Sequence, residues 1–211
     1  MDHITNFLFG VQRRLTNIIR WNTTPKIVSE SVSSHSYFVT LYSMYLSDYL
    51  KDKYGFVVNV DRVMRMAILH DIEECFSGDI VASLKASDKN FRDTLDSVCK
   101  RVVEEVFRGC SFSEEYVELW EEYREEKSIE SKIARVSDIL CQILYSFEEV
   151  LMGNTFMLSI CENSLRLLKS YKDQWVQELY AETSKFVSRQ IDIDLEDKQL
   201  YSHEVLYEKS K

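Results

Sequence analysis

Residues 129–152 read IESKIARVSDILCQILYSFEEVLM. At about 100° per residue, Ile129, Ile133, Val136, Leu140, Ile143, Phe147 and Leu151 fall on one stripe of an α-helix. Asp138 lies almost opposite, beside Ala134, Cys141 and Tyr145, which make a second, narrower apolar strip. A helix that is apolar on two sides is buried on two sides, so it belongs inside a helical assembly. It also carries a carboxylate into its second buried side, which is costly unless that charge has a partner.

The rest of the chain supports an all-α fold. Its 211 residues include 5 glycines and 1 proline, whereas a β-rich fold needs turn residues about every 8–12 positions. Hydrophobic residues make up 45% and charged residues 29%, enough for one domain with a real core. Helical periodicity predicts a first helix from Ile4 to about Arg20-Trp21, a second from about Ser33, and a third from about Asp61 to Phe76. The second presents Phe38, Val39, Tyr42, Leu46 and Tyr49 on one face. Further helices are expected over about Phe91–Arg108, Ser113–Glu126 and Thr155–Gln190. Without a repeat or linker, residues 1–190 read as one compact helical bundle and 191–211 as a polar C-terminal tail.

A formal net charge of −9 opposes binding to nucleic acid polymers or anionic membranes. It leaves room for a small phosphorylated substrate, because one local cation can dominate a pocket. The five cysteines (Cys75, Cys99, Cys110, Cys141, Cys161) lack CxxC spacing and sit mostly at apolar helical positions. They read as reduced core residues. With no signal peptide and no apolar run of spanning length, the expectation is a cytoplasmic protein.

Ligand-type side chains recur on the faces that should point inward. His70 and Glu74 share a face with Val63, Met66 and Ala67, and Asp71 stands at its edge. His35 is central to the stripe of Phe38, Val39, Tyr42 and Leu46. With Asp138, two imidazoles and two carboxylates on three buried faces could hold a divalent metal. Each also has an ordinary reading. His35 could be a hydrogen-bonded core histidine, Asp138 could pair with Arg135 on its own helix, and Glu73 and Glu74 could be a solvated helix end.

Four strings decide between these readings: RW at 20–21, ESVSSHS at 30–36, HDIEECFSGDI at 70–80 and SDILCQILYSFEEVLMGN at 137–154. In order and spacing they resemble the HD superfamily of metal-dependent phosphohydrolases, and within it the YfbR-like 5′-deoxynucleotidases. That family shows RW, E-x-V-S-E-H-S, HD-x-x-E-x-x-x-G-D, and AD-x-L-C followed by E-x-x-x-GN. The similarity covers roughly residues 5 to 155.

The resemblance implies a single-domain HD-type bundle with one divalent transition metal (Mn, Co, Fe or Zn) on His35, His70, Asp71 and Asp138. It implies that Arg20 orients the phosphate, that Trp21 packs on the sugar or base, and that Glu74 assists the attacking water. Asp79 would contact the deoxyribose, and Ile80, Val81 and Ala82 would line the nucleoside. Substrate would thus meet Arg20, Trp21, His35, Asp71, Asp79, Ile80, Val81, Ala82 and Asp138. Where relatives carry prolines after the Gly-Asp, this chain reads Ile80-Val81-Ala82-Ser83-Leu84-Lys85. The implied reaction converts deoxynucleoside 5′-monophosphates to deoxynucleosides and phosphate, in a homodimer. Two rivals are a deoxynucleoside triphosphate hydrolase, with Lys85, Lys89 and Arg92 on the outer phosphates, and a nucleotide-binding regulatory module without turnover.

Overall fold

The computed structural model describes residues 3–81, 84, 88–193 and 195. Among them there is no β-strand, only an isolated antiparallel bridge between Ile19 and Ser31. The helices are α1 (His3–Leu8), α2 (Val32–Tyr54), α3 (Val60–Leu69), α4 (Glu74–Ser77), α5 (Lys89–Val106), α6 (Ser113–Glu125), α7 (Ile129–Leu151), α8 (Leu158–Ser170) and α9 (Gln174–Ser188). Two 3-10 turns, Val11–Thr16 and Thr155–Met157, join them. Ala82, Lys85 and nearly all of the expected tail 191–211 lie outside the described residues.

α7 is the axis of the bundle, packed against α2, α3, α6 and α8. As its two strips require, Ile133, Val136, Ile143 and Phe147 are buried on one side and Ala134, Asp138, Cys141 and Tyr145 on the other. A capping box between Ser128 and Ser131 starts it by satisfying orphan N–H groups. α2 starts where Ser31 accepts from the Ser34 N–H and stops at left-handed Gly55. Its buried face is rotated from the expected one: His35, Val39, Leu46 and Leu50 point inward with Ser36, Ser43 and Ser47, while Phe38 and Tyr49 are exposed. Ser36 and Ser47 satisfy their buried hydroxyls on the carbonyls of Val32 and Ser43 one turn back.

Three expected helices are broken. The first is α1 followed by an extended Gly10 and a 3-10 turn. Ile4, Leu8 and Phe9 are exposed and only Leu15 is buried, so no core holds the stripe in one helix. The third ends at Leu69 and resumes as α4 after a turn held by i→i+3 bonds from Ile72 to Leu69 and from Glu74 to Asp71. The last is interrupted at extended Tyr171, so that α9 folds back on α8. No described helix is long and apolar enough to cross a membrane.

Candidate active site

The break after α3 shapes the site. His70 keeps helical backbone angles (φ −56, ψ −33) as the last residue before the turn, and its Nε2 lies 3.0 Å from Asp71 Oδ2. His70 Nδ1 donates to the Ala67 carbonyl at 2.7 Å, which turns Nε2 toward the site.

From α2, His35 Nε2 lies 3.3 Å from His70 Nε2, 3.1 Å from Asp138 Oδ1 and 3.9 Å from Asp71 Oδ2. Ligand atoms of His35, His70 and Asp138 all lie within 4.8 Å of one another, and all three residues are buried. Two imidazole nitrogens and the Asp138 carboxylate at this spacing fit a divalent transition metal of mixed N/O preference, while Asp71 approaches the imidazoles but stands outside that group of three.

His35 and the two carboxylates already have the charge states such an ion needs, whereas His70 must give up a proton to ligate. Burial and the Arg20 charge lower the His35 pKa to about 4, so this imidazole is neutral at neutral pH. His70 goes the other way. Burial works against its charge, but Asp71 raises its pKa to about 9. Burial also opposes ionisation of Asp71 and Asp138, yet the imidazoles, with Arg135 beside Asp138, hold both well below the ordinary carboxylate range.

The Arg135–Asp138 pair anticipated on α7 exists, at 2.7 Å. It does not compete with the site, because Asp138 Oδ2 meets Arg135 while Oδ1 faces His35. Tyr123 donates its hydroxyl to Oδ2 at 2.9 Å and Gln142 donates to Oδ1 at 2.9 Å. Glu73 and Glu74 are buried, so neither is a solvated helix end. Glu73 accepts from the Trp120 indole N–H at 2.8 Å and faces Arg124 at 3.6 Å.

Arg20 is buried beside the imidazoles. Its Nη1 is 2.9 Å from Glu30 Oε2 and 2.8 Å from His35 Nδ1. Burial disfavours its charge, but Glu30, Asp138 and Asp71 more than compensate and keep it a cation. A guanidinium can only donate, so His35 Nδ1 is the acceptor in this pose and Nε2 carries the proton toward Asp138. Ligation through Nε2 needs the other tautomer, which requires Arg20 to move off Nδ1; Glu30 Oε2, at 3.9 Å, is outside hydrogen-bond range of that nitrogen.

Trp21 adopts a left-handed backbone (φ 55) and stacks under the Arg20 guanidinium at 5.3 Å. Its N–H donates to Asp79 Oδ2 at 2.7 Å, and Asn22 donates to the Asp79 carbonyl at 2.9 Å. The RW and GD strings are therefore hydrogen-bonded neighbours.

These groups line one cleft of about 630 Å³, within the usual size for a small-molecule site. Arg20, Trp21, His70, Asp71, Glu74, Asp79, Ile80, Val81 and Asp138 reach it. His35 lies behind this surface as a fully buried member of the triad. The cleft also has a wall from α8, with Ser159, Ile160 and Asn163, and takes Arg92 and Asp96 from α5. Sequence reading missed that wall and the shell of Tyr123 and Gln142. Gln142 stands four residues after Asp138 and could have been found from helical spacing.

The model of the YfbR-like 5′-deoxynucleotidases matches residues 7–186. The chain belongs to that family. It is therefore a phosphoric monoester hydrolase built on the HD-type helical bundle. The match runs past residue 155, into α8 and α9.

The 5′-deoxynucleotidase plu3092 of Photorhabdus laumondii is 28% identical over 178 residues, covering 81% of this chain and 86% of the relative. An HD-domain phosphohydrolase of Listeria innocua superposes with a TM-score of 0.69 at 22% identity, over 89% of this chain and 99% of that one. The HD phosphohydrolase DatZ of cyanophage S-2L, solved with dA and one catalytic Zn2+ ion, superposes at 0.61 with 16% identity, over 85% and 95%.

Proposed function

We propose that this family member hydrolyses deoxynucleoside 5′-monophosphates through one divalent transition metal on His35, His70, Asp71 and Asp138. The observation that carries the reading is the approach of both Nε2 atoms to Asp71 and Asp138, in a cleft that also holds Arg20, Trp21, Glu74 and Asp79. DatZ, which carries dA and zinc on a similar fold, supports a nucleoside in such a cleft and zinc as one candidate metal.

When bound, the metal supplies a Lewis acid that lowers the pKa of water and offsets repulsion at the anionic phosphate. The protein's own groups do the rest. Arg20 offers its planar fork to the equatorial phosphate oxygens, where charge must be neutralised as the bond to the 5′-oxygen breaks. Glu74 is buried and lines the cleft, placed to take a proton from the attacking water. Trp21 packs on the nucleoside, and Asp79, which fixes the Trp21 backbone, stands at the sugar end. Tyr123, Arg135 and Gln142 orient Asp138.

The cleft's charges favour a monophosphate over a triphosphate. Of its four arginines, Arg20, Arg124 and Arg135 already face Glu30, Glu73 with Asp96, and Asp138 respectively. The two outer phosphates would also meet Glu73, Asp96 and Glu126. Lys89 does not line the cleft, although Arg92 does. Assays for orthophosphate and tripolyphosphate on a panel of ribo- and deoxynucleotides test the reading. Tripolyphosphate as the only product would replace it with the triphosphohydrolase, and tight nucleotide binding without turnover would replace it with a regulatory module. The protein is further proposed to act in the cytoplasm as a homodimer.

A further inference from the structure

One buried carboxylate takes no part in the site. Glu149 is fully buried near the C-terminal end of α7. Its Oε1 accepts the Val28 N–H at 2.7 Å, and its Oε2 accepts the Ile27 N–H at 2.8 Å and the Asn154 side-chain amide at 2.6 Å. Asn154 Nδ2 also donates to the Pro25 carbonyl at 2.9 Å, and the Tyr145 hydroxyl to the Val28 carbonyl at 2.6 Å. Burial pushes the Glu149 pKa up, but Asn154 and the two backbone donors outweigh it and hold the group below its ordinary value.

The E-x-x-x-G-N string thus has a structural purpose. Gly153, at φ 97, supplies the left-handed turn that brings the Asn154 N–H back to the Glu149 carbonyl at 2.9 Å.

The loop between Trp21 and Glu30 has little else to hold it down. Ile27 and Val28 are 57% and 52% exposed, so the loop is held through its backbone and not by apolar burial. Its near end is tied to Trp21. Lys26 Nζ donates to the Trp21 carbonyl at 2.9 Å and to Thr24 O at 3.2 Å, and the Thr24 N–H donates to the same Trp21 carbonyl at 2.9 Å. Trp21, in a backbone conformation that L-residues rarely adopt, is therefore fixed on both its peptide groups. Arg20 does not depend on residues 22–29 to the same degree, because Glu30, itself fixed by the Arg20 N–H at 3.0 Å and lying beside the Ile19–Ser31 bridge, and His35 hold its side chain directly.

We infer that Glu149 is a positioning residue for the nucleoside end of the site. It docks the 22–29 loop onto the helix that carries Asp138, and thereby fixes Trp21 relative to the metal ligands. The clamp and Asp138 are eleven residues apart on α7, about 16 Å along one rigid rod, so the offset between them cannot drift. The inference rests on the role proposed for Trp21 in nucleotide binding.

Two substitutions test it. Glu149→Gln puts an amide N–H against backbone donors, and Val28→Pro deletes one donor from an exposed position without touching the core. Each is compared with wild type by amide hydrogen exchange, metal content, and steady-state kinetics on dAMP and on p-nitrophenyl phosphate, which has the phosphate but no nucleoside. Both variants should bind metal normally and exchange faster at residues 21–28. The KM for dAMP should rise about tenfold to hundredfold, while turnover of p-nitrophenyl phosphate changes by less than about threefold. Unchanged exchange, or equal loss on both substrates in both variants, overturns the inference. A wild-type enzyme inactive on every deoxynucleotide would refute the nucleotidase reading instead, and the exchange data would still report on the clamp.

Discussion

Glu73→Gln should stabilise the metal-free protein at pH 8 and do so much less at pH 5. Glu73 is 4% exposed. Burial, then the nearby Asp71 charge, pushes its carboxyl up to about 7 from 4.5, against the opposing pull of Arg124 and Trp120. The unfolded chain gives up this proton near 4.5, whereas the folded chain keeps it until about 7. Between those values the folded state binds more protons, so its stability falls as pH rises through the window. The shift corresponds to a cost of about 3 kcal/mol above pH 7, and less than about 1 kcal/mol at pH 5. Glutamine has no charge to bury and can still accept from Trp120. It gives up the attraction to half-exposed Arg124, worth about 0.5–1 kcal/mol. The net gain at pH 8 is about 2 kcal/mol, or about 4–8 °C in Tm for a chain of this size. Thermal and urea melts of chelator-treated wild type and variant at the two pH values measure it. His70, raised to about 9, weakens both proteins as pH rises from about 6.5 to 9 and cancels in the comparison. Saturation with Zn2+ should narrow the gap, because a cation neutralises Asp71. A variant no more stable than wild type at pH 8, or equally favoured at both pH values, would refute the account of this carboxylate.

Other substitutions separate the proposed roles. Asp71→Ala should abolish phosphate release and remove the metal, whereas Arg20→Ala should abolish release with metal content unchanged, as read by elemental analysis. Glu30→Gln should lower phosphate release with metal content unchanged, because it removes the charged partner that holds Arg20 at 2.9 Å. Trp21→Gly should lower the melting temperature only modestly, since glycine accepts φ 55 without the cost of about 1 kcal/mol borne by other residues and so offsets part of the lost indole packing. The same change should raise the KM for deoxynucleotides while the protein stays folded.

Much of this architecture could be read from local pattern. The two apolar strips of residues 129–152 placed α7 at the centre, and the same strips located Asp138 on a buried face. His35 and His70 were found because a polar group on an apolar stripe stands out. The breaks at His70–Glu73 and at Tyr171 were not legible, since neither holds a glycine or proline. At His70 a side-chain bond to the Ala67 carbonyl and the tertiary packing of two buried glutamates prevail over helical periodicity. Contacts distant in sequence were equally hidden. Tyr123 reaches Asp138 from the preceding helix, and the Glu149 clamp joins residues more than 120 positions apart. Ser159 and Asn163 enter the cleft only because α8 folds back along α7.

His35, His70, Asp71 and Asp138 are proposed to hold a metal on which hydrolysis of a nucleotide's phosphate ester depends. The most direct measurement is product analysis with dAMP, AMP and dATP on chelator-treated protein, before and after adding Mn2+, Co2+ or Zn2+. No release should occur without metal and, once a metal is restored, orthophosphate should appear from dAMP in excess of that from AMP, with no tripolyphosphate from dATP. Unimpaired release from fully metal-stripped protein, or tripolyphosphate as the principal product, would contradict the proposal.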